Sequence, residues 1–207
     1  MFKKLLAFLA ALVCFASLAK AEDVPDSMRF RFIEHQGIQW ISAEGTITLA
    51  TPNDFRMFVA QHHDQLYEGG PLVVLNSPGG NLAAGLTLGM AFRAAHIKTA
   101  VGATIGEGDA ANQVTGSCYS ACAYAFLGGT DRLMLRDSVI GFHQFSHGEP
   151  RADDMSRAQS LDGTILLYLK RMGVDPEVLT LATSASPSEI NSPDAKERAR
   201  LHITTLQ

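Results

Sequence analysis

The feature that most constrains the fold is a short apolar run at residues 72–75, enclosed by turn-forming residues. Gly69-Gly70-Pro71 precedes the run, and Asn76-Ser77-Pro78-Gly79-Gly80 follows it. An apolar run this short, without polar alternation, indicates a strand covered on both faces, as in a parallel sheet. Residues 81–96 then carry apolar and small residues in a helical pattern. The segment therefore predicts a strand, a tight turn and a helix.

The same order of elements is expected along the rest of the chain. The sequence predicts strands at 29–34, 39–49, 97–101, 132–135 and 139–142. It predicts helices at 51–67, at the apolar stretch inside 116–129, and at 155–172, 175–181 and 194–200. Strands that alternate with helices are typical of an α/β domain with a largely parallel sheet.

The first 21 residues have the pattern of a secretory signal peptide. Lys3 and Lys4 precede an apolar run at 5–18, and Ala19-Lys20-Ala21 forms a small-x-small cleavage site. Cleavage there leaves one domain, 22–207, in the periplasm or outside the cell. An uncleaved N-terminal anchor is the alternative. No later apolar run is long enough to span a membrane.

The charge balance argues against a nucleic-acid partner. The whole chain has a formal net charge of −4. Cleavage before Glu22 removes three lysines and no acidic residue, so the charge becomes about −7. A nucleic-acid-binding domain needs a basic surface to attract phosphates.

Two cysteines remain after cleavage, Cys118 and Cys122. Disulfides persist in the oxidising compartments that exported proteins reach. A four-residue helical spacing places the two side chains on one face, so a bridge can form if the first helical turn is distorted. Two buried free thiols are the alternative. Two clustered ligands do not make a metal site, so no metal is expected.

Ser120 lies between these cysteines, near the start of the apolar helix. A serine in this position can cap the helix through its hydroxyl. It can also act as a nucleophile, because the free N–H groups of a helix start stabilise an oxyanion. The local sequence leaves both interpretations open.

Two further features fit an acyl-transfer site. His143 ends a predicted strand and is able to take the proton of a nearby serine. Gly79 and Gly80 have bare backbone N–H groups that a substrate carbonyl can approach closely. Each feature also has a structural explanation. His143 can be a hydrogen-bonded core histidine, and the two glycines can serve only the turn between strand and helix.

Taken in order, these motifs resemble the Clp protease proteolytic subunit and its relatives. The Ser-Pro-Gly-Gly turn comes first, then Ser120 before an apolar helix that ends in glycine, and His143 follows 23 residues later. The resemblance covers roughly residues 39–203. The stretch Cys118-Tyr119-Ser120-Ala121-Cys122 also resembles a group of exported proteins similar to Clp proteases.

The resemblance implies a crotonase-like spiral of ββα units. It implies Ser120 as the nucleophile, His143 as the general base, and the N–H groups of Gly80 and Ala121 as the oxyanion hole. The expected function is an exported serine hydrolase that cleaves a peptide or protein substrate without a cofactor or metal. Relatives assemble into rings, so a homo-oligomer is expected.

The match breaks at the third member of the catalytic triad. The family places an aspartate before the last short helix, where this chain has residues 183–191 and no aspartate. The sequence leaves two alternatives: one of four residues there orients His143 (Ser184, Ser186, Glu189 or Asn191), or no residue does. Asp175 and Asp194, which flank the region, are interpreted as helix caps.

Two other functions remain open from the sequence. One is a non-catalytic binding protein that keeps the fold and the cleft. The other is a crotonase-type enzyme acting on a thioester, although no stretch resembles a coenzyme A site. The long polar loop at 102–116 also departs from the family, and we expect it to cover or reshape the site.

Overall fold

A five-stranded sheet forms the centre of the fold, in the order β1-β2-β3-β4-β8. The computed structural model describes residues 27–65, 70–145 and 154–205. The predicted signal peptide therefore lies outside the described residues. The strands of the central sheet are β1 (Arg29–His35), β2 (Ile38–Glu44), β3 (Leu72–Asn76), β4 (Lys98–Val101) and β8 (Arg132–Met134). Strands β1 and β2 are antiparallel, and every other neighbouring pair is parallel.

Two smaller sheets, six α-helices and two short 3-10 helices, His63–Gln65 and Gly108–Ala110, complete the described elements. Strands β5 (Ala103–Ile105) and β6 (Asn112–Val114) form an antiparallel hairpin, and β7 (Ser117–Tyr119) pairs in parallel with β9 (Val139–Gly141). The helices are α1 (Thr51–Gln61), α2 (Leu82–Ala94), α3 (Ala121–Leu127), α4 (Asp154–Arg171), α5 (Glu177–Thr183) and α6 (Ala195–Arg200). The predicted α/β class with a mostly parallel sheet is confirmed.

Strand β3 is buried on both faces, as its apolar run predicts. Val73 and Leu75 pack into the main core with the helices, while Val74 faces a second, smaller core. This alternation follows from the two-residue period of a strand. Helix α3 is more deeply enclosed, because each of its residues is buried. The small side chains in its first turn let it approach α2, where a Cβ on Gly85 would overlap the Ala121 carbonyl.

Several predicted element ends differ from the structure. Strand β2 ends at Glu44, five residues before the predicted end, and α1 ends at Gln61 rather than near residue 67. The N-cap residue of α1 is Ala50, and Thr51 Oγ1 accepts a hydrogen bond from Thr48 N–H at 2.9 Å. Among the described residues, no helix combines the length and apolar character needed to cross a membrane.

Residues 102–116 contain the β5-β6 hairpin, which lies on the face of the central sheet opposite the main core. Trp40 Nε1 donates to Thr104 Oγ1 at 3.0 Å, and Thr104 N–H donates to the Glu44 carboxylate at 2.7 Å. Ala111 packs with Ile33 and Trp40 in the second core. Residues 102–116 complete the second core and do not line the cleft that contains Ser120 and His143. The expectation that they cover the site is therefore wrong, and the expectation that they reshape it stays a prediction.

A buried arginine fastens the end of α3 to the C-terminal part of the domain. Arg132 is 3% exposed and donates hydrogen bonds to main-chain carbonyls at 2.7–3.4 Å. The acceptors are Leu127, Gly129, Met172, His202 and Ile203. Burial, and then the nearby Arg93, lower the pKa of Arg132 to about 10. The guanidinium is therefore still charged at neutral pH, and carbonyl dipoles stabilise it.

We expect Arg132→Met to lower the free energy of unfolding by about 3 kcal/mol, because buried carbonyls lose a charged donor. Urea unfolding measures the loss. Arg136→Met is the matched control, since the Arg136 side chain is 96% exposed and pairs only with the exposed Asp137 in the contacts of the described residues. The control variant is expected to change stability by about 0.5 kcal/mol or less. Similar losses in both variants would contradict the structural role of Arg132.

Candidate functional site

The site begins where the turn after β3 pairs with β7. Ser77 N–H donates to the Ser117 carbonyl at 2.8 Å, and Tyr119 N–H donates to the Ser77 carbonyl at 3.1 Å. This parallel bridge joins the central sheet to the small β7-β9 sheet. It also brings the glycines of the Ser-Pro-Gly-Gly turn to the start of α3.

Gly79 is a position of that turn that requires glycine. Its φ is +101°, and a Cβ there would lie 2.6 Å from the Tyr119 carbonyl oxygen and 2.8 Å from Ser120 Cβ. Both the backbone conformation and the close approach exclude a side chain. The turn therefore packs directly against the backbone around Ser120.

Ser120 occupies the single-residue junction between β7 and α3. Its φ is 57° and its ψ is −122°, a conformation that non-glycine residues adopt rarely and at a cost of about 1–3 kcal/mol. Ser120 N–H donates to the Gly141 carbonyl at 2.9 Å, which holds the junction. The side chain makes no capping hydrogen bond to the helix. The capping interpretation is therefore wrong, and the hydroxyl is left for another use.

Cys118 and Cys122 form a disulfide that encloses this junction. The sequence allowed either a disulfide or two free thiols, and the structure confirms the disulfide. The two cysteines do not lie on one helix as the spacing suggested: Cys118 is on β7 and Cys122 is on α3. Both residues are fully buried. The bridge thus fastens the strand to the helix across Ser120.

Ser120 and His143 line one cleft of about 800 Å³. The cleft has one wall from the start of α2 and an opposite wall from α4, and its remaining lining includes Phe145. The α2 side contributes Gly80, Asn81, Leu82 and Ala83; the α4 side contributes Ser156, Arg157, Ser160, Leu161 and Thr164. The cleft is lined by both apolar and polar side chains.

Parallel pairing explains why a serine and a histidine 23 residues apart share this cleft. The register of β7 and β9 places Tyr119 opposite Gly141. Because the carboxyl ends of parallel strands lie at the same edge, Ser120 and His143 both emerge there. Both residues are half-buried.

The two predicted oxyanion-hole residues have different positions. Gly80 lines the cleft, whereas Ala121 is fully buried at the first position of α3. Within the described ranges, neither backbone N–H has a hydrogen-bond acceptor. Buried N–H groups are almost always paired in folded proteins, so the free donor of Ala121 is notable. Gly80 is exposed, so its N–H faces the solvent-accessible cleft.

The partner of His143 is a main-chain group. His143 Nδ1 lies 2.6 Å from the Gln144 carbonyl oxygen. Because a carbonyl only accepts hydrogen bonds, this contact assigns the proton to Nδ1 and leaves the lone pair on Nε2. Sequence reasoning missed this partner, since a main-chain carbonyl leaves no trace in the residue types.

The four residues expected to orient His143 have other partners. Ser184 Oγ donates to the Leu181 carbonyl at 2.9 Å and accepts from Asn191 Nδ2 at 3.1 Å. Ser186 Oγ donates to the Glu189 carboxylate at 2.8 Å. In the part of the chain that the structure describes, no carboxylate hydrogen-bonds to His143.

The two flanking aspartates are caps, as predicted. Asp194 accepts a hydrogen bond from Glu197 N–H at 2.8 Å at the start of α6. Asp175 accepts from Glu177 N–H, also at 2.8 Å. Neither is therefore a substitute for the missing triad aspartate.

The α4 wall was also missed, although the sequence has a signal for it. Ser156, Ser160 and Thr164 recur every four residues and so share one face of the helix. The Ser160 and Thr164 hydroxyls donate back to helix carbonyls at 2.9 Å. Ser160 and Thr164 therefore present polar side chains whose hydroxyl protons are already used in hydrogen bonds.

Comparisons with known proteins support the fold. No family model and no curated protein matches this chain. Among solved structures, the fold is similar to that of a point mutant of ClpP1 from Listeria monocytogenes, with a TM-score of 0.54. The two chains are 16% identical, and the similarity covers 77% of this chain and 85% of that one. The mixed α/β fold is therefore ClpP-like.

We expect loss of the disulfide to lower the free energy of unfolding by about 2 kcal/mol, the chain-entropy value for a closed loop of about five residues. The variant Cys118→Ala with Cys122→Ala removes the bridge, and urea unfolding measures the change. Wild-type protein with the bridge reduced is the matched control, because it keeps both side chains and should lose a similar amount. Alkylation of both cysteines in denatured, unreduced protein would contradict the bridge.

Proposed function

We propose that the protein is an exported serine hydrolase, most specifically a peptidase, with the spiral ββα architecture of the Clp protease and crotonase folds. The observation that carries the proposal is the position of Ser120. It lies at a strand-to-helix junction with positive φ, its hydroxyl does not cap the helix, and it shares a cleft with His143. A sharp strand-to-helix turn is how α/β hydrolases expose a nucleophilic serine.

The proposed reaction is acyl transfer in two steps. Ser120 Oγ attacks the substrate carbonyl carbon, and His143 Nε2 takes the hydroxyl proton. The N–H groups of Gly80 and Ala121 stabilise the oxyanion that forms. The tetrahedral intermediate then collapses, the leaving amine takes the proton from His143, and a water molecule hydrolyses the acyl-enzyme. The reaction needs no metal or cofactor.

Peptides are the proposed substrates on two grounds. The sequence motifs resemble the Clp protease proteolytic subunit, and the fold is similar to that of ClpP1. The same resemblance supports assembly into a homo-oligomer.

The missing carboxylate sets the expected rate. In a Ser-His-Asp triad, loss of the aspartate's charge lowers kcat by roughly 10⁴-fold. We therefore expect slow turnover. The same feature supports the alternative function, a binding protein that keeps the cleft and has lost catalysis.

A fluorophosphonate probe that reacts with activated serines tests the proposal. We expect slow covalent labelling of the mature protein, with no labelling of Ser120→Ala and weaker labelling of His143→Gln. Ser117→Ala is the matched control, because Ser117 lies three residues earlier and contributes main-chain hydrogen bonds to Asn76 and Ser77. It should label as the wild type does. Equal labelling of Ser120→Ala, or no labelling of the wild type, would sink the proposal and favour the binding protein.

Export has its own test. We expect the mature protein, expressed with its full sequence in a bacterial host, to begin at Glu22. Mass spectrometry of the N-terminal peptide from the periplasmic or secreted fraction measures this directly. Recovery of a chain that still carries residues 1–21 would support the uncleaved anchor instead.

A further inference from the structure

We propose that Gln144 is a positioning residue that takes the place of the missing triad carboxylate. Its carbonyl holds the His143 ring, and its side chain and N–H fix that carbonyl to residues 183–185. The inference rests on the proposed function for its catalytic meaning, but the ring orientation can be tested without catalysis.

The first step concerns the ring itself. The 2.6 Å contact between His143 Nδ1 and the Gln144 carbonyl oxygen is short for a hydrogen bond of this type. It requires the proton on Nδ1, so Nε2 is the basic nitrogen. In a triad, the carboxylate selects the same tautomer for the serine's partner.

The second step concerns what holds the carbonyl. Gln144 N–H donates to the Ala185 carbonyl at 3.0 Å, and Gln144 Nε2 donates to the Thr183 carbonyl at 2.6 Å. On the other side of His143, Phe142 and Asn191 exchange two main-chain hydrogen bonds at 2.8 and 2.9 Å. His143 therefore lies between two residues that are both fastened to the 183–191 segment.

The third step concerns the side chain of Gln144. It is exposed, and its amide reaches from the end of the β9 segment to the end of α5. An exposed glutamine with a single directed hydrogen bond contributes little to overall stability. The proposed role of the Gln144 side chain is to hold in place the peptide unit whose carbonyl oxygen contacts the His143 ring.

The consequence is an orienting group without charge. A carbonyl selects the tautomer and direction of the ring as a carboxylate does. It does not stabilise the imidazolium that forms during proton transfer to the same degree, because it carries no net charge. The geometry thus accounts for an oriented His143 ring in a chain that has no aspartate at this position.

Nitrogen-15 NMR of the imidazole groups is the first test. The His143 signals are assigned as those that disappear in His143→Gln. We expect them to show a protonated Nδ1 and an unprotonated Nε2 when the ring is neutral. In Gln144→Ala we expect a mixture of the two tautomers. Gln113→Ala, a glutamine replacement on the distant β5-β6 hairpin, should leave the His143 signals unchanged.

The rate of fluorophosphonate labelling at Ser120 is the second test. We expect Gln144→Ala to reduce it by about 10- to 100-fold, the scale of effect that misplacement of a catalytic group produces. The thermal unfolding midpoint should change little. In Gln144→Glu, the labelling rate relative to wild type should fall as pH rises, because only the protonated carboxyl can donate to the Thr183 carbonyl.

The outcomes separate the two proposals. A wild-type His143 with its proton on Nε2 overturns the inference, as does a Gln144→Ala variant with wild-type tautomer and labelling rate. If the wild-type protein does not label but the NMR results are as expected, the proposed hydrolase function fails and the role of Gln144 in orienting His143 stands.

Discussion

The candidate site depends on one main-chain interaction, the parallel pairing of Ser77 with Cys118. It is the point where the central sheet meets the β7-β9 sheet, and two hydrogen bonds of 2.8 and 3.1 Å define it. Without it, the glycine turn after β3 and the junction at Ser120 would belong to separate parts of the domain. With it, Gly79 packs against the backbone on either side of Ser120, and Gly80 lines the cleft. Main-chain hydrogen bonds therefore hold most of the site's residues together.

The strained residue at the centre of this arrangement is held from several sides. The disulfide fixes both ends of the junction, the Gly141 carbonyl accepts the Ser120 N–H, and all of α3 is buried behind it. In the nucleophile turn of α/β hydrolases, glycines occupy the positions two residues before and after the serine. Here cysteines occupy both positions and are bonded to each other. A covalent constraint thus stands where those hydrolases use small residues.

Features with a strong local signal could be predicted from the sequence. The buried strand at 72–75, the turn after it and the helix that Asn81 caps all follow from apolar pattern and turn chemistry. The β5-β6 hairpin could not be predicted, since three-residue strands carry too little periodicity. Ser120 and His143 were found through the order of motifs, and parallel pairing brings them to one cleft. The contact between His143 and the Gln144 carbonyl depends on the direction of the backbone, because the acceptor is a main-chain oxygen. It could therefore not be predicted from the residue types.

The arginine that joins the end of α3 to the C-terminal part of the domain has a consequence for the order of folding. Two of its carbonyl acceptors, His202 and Ile203, lie 70 and 71 residues further along the chain. Until those residues have been synthesised and docked, the guanidinium cannot be buried with its hydrogen bonds satisfied. Contacts over such distances form late and slow the closure of a core. The hydrogen bonds of Arg132 can therefore be completed only after the C-terminal residues have docked, so the end of the chain closes this part of the core.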